Sequence, residues 1–91
     1  MSYTVRDFEQ TPNVNAIKCL VEPAPTAAPR SYFNAEQAAE AGDGLAEALF
    51  GIEGVTNVLI HVAFITIGKR AEADWRPIRK AVKAVLEGFD G

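Results

Sequence analysis

The stretch from Trp75 to Phe89 constrains this chain most: its apolar residues Trp75, Ile78, Val82, Val85, Leu86 and Phe89 follow one another at spacings of 3, 4, 3, 1 and 3. That rhythm is the period of an α-helix with a single apolar stripe. Asp74 stands where an N-cap carboxylate accepts from the first turn, Pro77 falls inside that turn, where a missing N–H matters little, and Gly88 or Gly91 marks the end. Such a helix has one face to bury and needs a second layer to bury it against.

The residues before it supply that layer. Val55–Ile60 and Phe64–Lys69 are rich in β-branched and aromatic residues and are separated only by His61, Val62 and Ala63, which predicts a hairpin although its turn lacks Gly, Asn and Asp. Near the N-terminus, residues 3–10 alternate Tyr3 and Val5 against Thr4 and Arg6, and residues 16–21 place Ile17, Cys19 and Val21 on one parity. Between them Thr11, Pro12, Asn13, Val14 and Asn15 combine a fixed φ with two amides able to bond their own backbone, a turn composition. Residues 22–30, with Pro23, Pro25 and Pro29 among alanines, predict an irregular link, and residues 31–33 offer at most a short edge strand.

Asn34 then caps a helix running to Ala41, with Gln37 in capping-box position. Gly42, Asp43 and Gly44 break it. A second helical piece follows with Leu45 and Leu49 on one face, and Gly51 and Gly54 stand where a C-cap and turn favour a residue free to take positive φ. The order ββαββα predicts an α+β fold: a two-layer sandwich with a mainly antiparallel four-stranded sheet and the helices on one face.

With 91 residues, 48% of them apolar, residues 1–91 are expected to form one domain. A solitary cysteine cannot make an internal disulfide, so a reducing cytoplasm is the expected compartment. Neither a signal peptide nor a membrane span is expected, because the N-terminal residues lack a basic region followed by an apolar run and the apolar run 58–67 is short and interrupted by His61. A net charge of −3 argues against a nucleic-acid binder. The charge is polarised: residues 1–68 carry three basic and eight acidic side chains, net −5, whereas residues 69–91 carry six basic and four acidic, net +2.

Few side chains suit chemistry. A zinc or iron–sulfur site needs several thiol or imidazole ligands, and here only Cys19 and His61 are present. No metal ligands and no catalytic residues are therefore assigned, and no cofactor is expected to bind this chain alone. Cys19 shares its parity with Ile17 and Val21, as a small buried hydrophobe does. His61, in a turn, reads as a solvated side chain, and the Gly42 to Gly44 segment reads as helix punctuation because it lacks phosphate-loop spacing. Arg76, Arg79, Lys80 and Lys83 form the wet face of the last helix, ordinarily only solvated, with docking to an acidic partner as the alternative.

Several of these segments together resemble a known family. The run from Thr11 to Lys18, then Leu45, Ala46, Leu49, Phe50, Ile52, Gly54, Val55 and Val58, then Phe64 to Ile67 with Lys69, and finally Asp74 and Trp75, are similar in order and spacing to the N-terminal domain of the Nfu/NifU-like iron–sulfur scaffold proteins. The resemblance covers nearly the whole chain. It implies a small two-layer α/β domain and a place in iron–sulfur cluster assembly or delivery. In that family a C-x-x-C motif in a separate C-terminal domain holds the cluster. That motif has no counterpart here, so the chain is expected to be a stand-alone N-terminal domain, and an iron–sulfur cluster is implied only through a partner or a separate domain.

The expected function is thus a non-enzymatic accessory or interaction module contacting iron–sulfur assembly or client proteins, with no nucleic-acid or membrane partner. Thr11, Pro12, Asn13, Asn15 and Lys18 are its candidate contact surface, joined by Arg76, Arg79, Lys80 and Lys83. The competing reading of the turn has both Asn side chains consumed locally. Two other functions are carried: an oligomerisation module unrelated to iron, and a small thiol enzyme using Cys19.

Overall fold

In the computed structural model, which describes residues 2–89, the chain runs β1 (Thr4–Gln10), β2 (Ala16–Glu22), β3 (Arg30–Tyr32), α1 (Ala35–Glu40), α2 (Gly44–Phe50), β4 (Val55–Ile60), β5 (Phe64–Lys69) and α3 (Trp75–Gly88). The strands form one antiparallel sheet in the order β1-β2-β5-β4-β3. The helices form the second layer: α3 packs against β1, α2 against β4, α1 against β3, and α2 touches α3. None of these helices is long and apolar enough to cross a membrane.

The sheet has five strands, not four. Arg30–Tyr32 pairs with β4 through Arg30 with Ile60, Ser31 with Leu59 and Tyr32 with Val58. Three residues are too few to display a period, and the strand is defined by a partner distant in sequence. It also lies one residue earlier than residues 31–33, which leaves Phe33 outside the sheet and 74% exposed. In the preceding link Pro25 is buried while its neighbours Ala24, Ala27 and Ala28 are exposed.

Two one-residue irregularities adapt the apolar pattern to the pleat. On β1, Val5 pairs with Val21 and Asp7 with Leu20, leaving Arg6 as the extra residue. On β4, Val55 pairs with Lys69 and Asn57 with Gly68, leaving Thr56 extra. Without these shifts Val5 and Phe8, and likewise Val55 and Val58, would point to opposite faces, because side chains alternate with period two. With them, Val5, Phe8 and Val55 all pack against the core that contains Val58.

The core lies between the layers. It takes Ile17, Cys19 and Val21 from β2, Val58 and Ile60 from β4, Ile65 and Ile67 from β5, Leu45 and Leu49 from α2, and Ile78, Val82 and Leu86 from α3, each buried. Burying each of the larger aliphatic side chains contributes about 1.5–3 kcal/mol. The cross-strand partners Ile17 and Ile67, Cys19 and Ile65, and Ile60 and Ile65 stack on this one face.

Local signals set the ends of the helices. Asn34 Oδ1 accepts from Gln37 N–H at 2.9 Å, while Gln37 Oε1 accepts from Phe33 N–H at 2.7 Å, a capping box displaced by one residue. Gly42, at φ 66°, turns the chain out of α1, and Asp43 caps α2. Of Gly51 and Gly54 only Gly54 uses its freedom, at φ 95°. The β4–β5 turn closes through His61 N–H to Phe64 O at 2.8 Å, so two strands with strong cross-strand pairing do not need a favoured turn sequence.

Candidate functional site

The β1–β2 turn is held by its own polar groups. Thr11 Oγ1 lies 2.9 Å from the Asn13 carbonyl and 3.0 Å from the Ala16 carbonyl, and accepts from Asn13 N–H at 3.2 Å. Asn13 Oδ1 accepts from Asn15 N–H at 2.9 Å, and Ala16 N–H donates to Asn13 O at 3.0 Å. Asn13 is therefore bound into the turn, as an Asx turn requires. Asn15 is not: its side-chain oxygen accepts from Lys69 Nζ at 3.0 Å. Both Asn side-chain oxygens thus serve structure, one within the turn and one across the molecule.

The turn is also tied to the start of α3. Trp75 Nε1 donates to the Val14 carbonyl at 3.0 Å, and Lys69 Nζ sits 5.4 Å from the Trp75 ring centroid. Trp75 is half-buried, so its ring packs while its N–H reaches the turn, the usual arrangement for an amphipathic aromatic. The result is a fixed backbone that presents Val14 80% exposed. Between the turn and the helix lies a cleft of about 260 Å³ lined by Thr11, Asn13, Val14, Trp75 and Arg79, among others.

The remaining sequence-selected residues fall in different places. Arg79 is half-buried at the cleft and its Nε is buried without a hydrogen-bond partner among the described residues. Lys80 and Lys83 are exposed farther along α3. Arg76 is engaged with its own N-cap, 3.1 Å from Asp74 Oδ2, and its backbone bond to that carboxylate leads the causes that hold the Asp74 carboxyl below its ordinary value. Pro12 is exposed in the turn. Lys18 lies on the sheet face turned away from the helices, 4.5 Å from the Phe64 ring centroid. The structure therefore gathers Thr11, Asn13 and Arg79 around one cleft and leaves Lys18 apart from it.

Sequence reasoning passed over Val14, Lys69 and the tethering role of Trp75. Lys69 was open to discovery, because it shares parity with Ile65 and Ile67 and so had to point toward the core; it is buried, with Arg70 O and Ala71 O as further acceptors at 3.2 and 3.3 Å. The bond from Trp75 to Val14 had no local signal.

The two candidate chemical side chains are poorly placed for chemistry. Cys19 has no exposed surface, and burial, followed by the charge of Glu87, pushes its thiol up to about 12. Such a thiol stays protonated and inaccessible. His61 is half-buried, not simply solvated: its ring stacks on Phe64 with centroids 4.4 Å apart, and its Nδ1 is buried without a partner among the described residues. Among the described residues no group of three or more His, Cys, Asp or Glu side chains is placed to hold a metal ion. The Gly42 to Gly44 segment carries a buried carboxylate, Asp43, which repels an anion and does not cradle one.

Comparison with known proteins fits this arrangement of elements to a family. The family described as scaffold protein Nfu/NifU N terminal matches residues 5–90. The chain belongs to that family. This Nfu N-terminal chain is similar to "NFU1 iron-sulfur cluster scaffold homolog, mitochondrial" from Drosophila willistoni, with 35% identity over 81 residues, covering 89% of the chain. It spans only 28% of the length of that relative. The Nfu N-terminal fold is shared with protein SAV1430 from Staphylococcus aureus, at TM-score 0.78 and 21% identity, covering 92% of this chain and 99% of that one. It is shared also with the NifU-like protein from Saccharomyces cerevisiae, at TM-score 0.75 and 23% identity, covering 92% and 76% respectively.

Proposed function

We propose that residues 1–91 act as a non-enzymatic interaction module in iron–sulfur cluster assembly or delivery, contacting assembly or client proteins and holding no cluster of their own. Family membership supports the setting. The buried, protonated Cys19 supports the lack of both ligation and nucleophilic chemistry, and leaves the thiol-enzyme reading without a usable nucleophile. A single unpaired cysteine suits a reducing compartment, for which the cytoplasm is our choice.

The observation that carries the reading is the pairing of an exposed Val14 with a backbone fixed by Trp75 Nε1, beside the basic face of α3. An apolar side chain held outward on a preordered turn costs little further entropy on docking. The test is capture of cluster-assembly or cluster-requiring proteins by the purified chain and by Val14→Asp. The substitution should change stability by no more than about 0.5 kcal/mol, since the site is a surface one, and should abolish capture. Unchanged capture by Val14→Asp sinks this surface.

The oligomerisation reading has its own support in the open sheet face, where Leu20, Leu59 and Phe64 are only half-buried. Recovery of nothing but further copies of the chain, with a sedimenting mass above that of the monomer, would favour it.

A further inference from the structure

Three cations approach the region where the turn meets α3, and their donors are not equally satisfied. Lys69 Nζ has three oxygen acceptors, and Arg76 is paired with Asp74. Arg79 has a buried Nε–H with no acceptor among the described residues. A charged donor removed from water without a partner is unfavourable, and a guanidinium whose side chain turns into the cleft offers Nε–H and Nη–H as a planar fork matched to two carboxylate oxygens.

We propose that the cleft between the β1–β2 turn and α3 receives a carboxylate side chain from an acidic segment of a partner protein, Arg79 supplying the counter-charge and Val14 an apolar contact for the neighbouring residue. This rests on the interaction-module reading and names the chemistry of its partner. The cleft, about 260 Å³, falls below the roughly 300–1,000 Å³ of small-molecule sites, a size suited to one side chain rather than to a cofactor. Its walls are mixed, with Thr11 and Asn13 polar and Val14 and Trp75 apolar, so a carboxylate flanked by an apolar residue fits where a bare inorganic anion would leave the apolar part uncovered. Lys80 and Lys83 on the same helix, within residues 69–91 of net charge +2, add a field of the matching sign.

The probe is a capped five-residue peptide of sequence Gly-Glu-Leu-Glu-Gly, with Gly-Gln-Leu-Gln-Gly as its uncharged match. Trp75 is the sole tryptophan, so its fluorescence and its indole N–H resonance, together with the Arg79 Nε–H resonance, read the cleft directly. The acidic peptide should shift these signals saturably and the amide peptide should not. Arg79→Gln should weaken binding about tenfold, the size of a lost charge-assisted bond, while Arg6→Gln, a cation on β1 paired with Glu22, should leave it unchanged. Arg79→Lys should fall between, because one ammonium cannot make the fork. Equal shifts from the amide peptide, equal shifts from inorganic phosphate, unaltered binding by Arg79→Gln, or no shift with the wild-type chain would each overturn the proposal. Capture of cluster-assembly proteins that survives Arg79→Gln removes this inference and leaves the module reading standing; absence of such capture by the wild-type chain removes the module reading itself.

Discussion

Lys69 grips Asn15 twice: its backbone N–H donates to the Asn15 backbone carbonyl at 2.8 Å, and its ammonium donates to the Asn15 side-chain oxygen at 3.0 Å. The end of β5 and the β1–β2 turn are locked by one pair of residues 54 positions apart. Asn15→Ala removes an acceptor from a buried cation and should lower stability by about 2 kcal/mol, or about 10 °C in melting temperature for a domain of this size. Asn15→Asp keeps an acceptor and should stay close to wild type. Calorimetry of both variants checks this; equal melting temperatures for Asn15→Ala and wild type would show the grip to be idle.

Asp43 joins α2 to β3. Its Oδ1 accepts from Ala46 N–H at 3.1 Å as the cap of α2, and its Oδ2 receives the Tyr32 hydroxyl at 2.9 Å and lies 3.2 Å from Arg30 Nη1. Asp43→Ala removes the cap and strips both β3 side chains of their partner, a loss of about 3 kcal/mol. Tyr32→Phe removes one hydrogen bond and should cost about 1 kcal/mol. Denaturant unfolding of the two variants should rank them in that order.

The Cys19 thiol should be silent toward a thiol reagent in the native chain and react on unfolding. Its pH signature follows from its pKa, raised from 9.0 to about 12 in the fold. Between those values the unfolded chain loses the proton and the native one keeps it, so stability is intact below about pH 9 and falls as pH rises toward 12. Tyr32 acts in the same sense above 10.0, raised first by burial and then by its hydrogen bond to Asp43. Cys19→Ala should flatten the alkaline decline between pH 9 and 10 relative to wild type. Labelling of the native thiol at neutral pH would contradict its burial.

Gly54 and Gly88 should answer oppositely to alanine. At Gly54 φ is 95°, and a Cβ would come within 3.1 Å of Ala73 Cβ and 3.3 Å of Ile78 Cδ1. Strain and crowding together should cost about 2–3 kcal/mol. At Gly88 a Cβ meets nothing within 4 Å among the described residues and the residue is helical, so Gly88→Ala should be neutral or stabilise by up to about 1 kcal/mol. Paired melting curves distinguish the two.

The legible parts of this molecule were those whose cause lies within a few residues. The stripe from Trp75 to Phe89, the caps at Asn34 and Asp74, the break at Gly42 and the strands of the β4–β5 hairpin all follow from short-range hydrogen bonding and apolar period. The family, too, could be read from residues 11–18, 45–58, 64–69 and 74–75 in order. The candidate surface was half-legible: the turn and the basic helix face were picked out, but the cleft that unites Thr11 and Asn13 with Arg79, and separates them from Lys18, was not.

What the chain alone determined was therefore the kind of each element and which face it had to bury. The tertiary structure decided the strand order β1-β2-β5-β4-β3, the promotion of Arg30–Tyr32 to a strand, the extra residues at Arg6 and Thr56, and the meetings of Asn15 with Lys69 and of Val14 with Trp75. The physical reason is that local periodicity fixes only which side chains must leave water. Which distant groups they then meet depends on how all the buried faces close on one another at once, and a polar bond across 54 or 61 residues forms only where that closure happens to bring its two ends together.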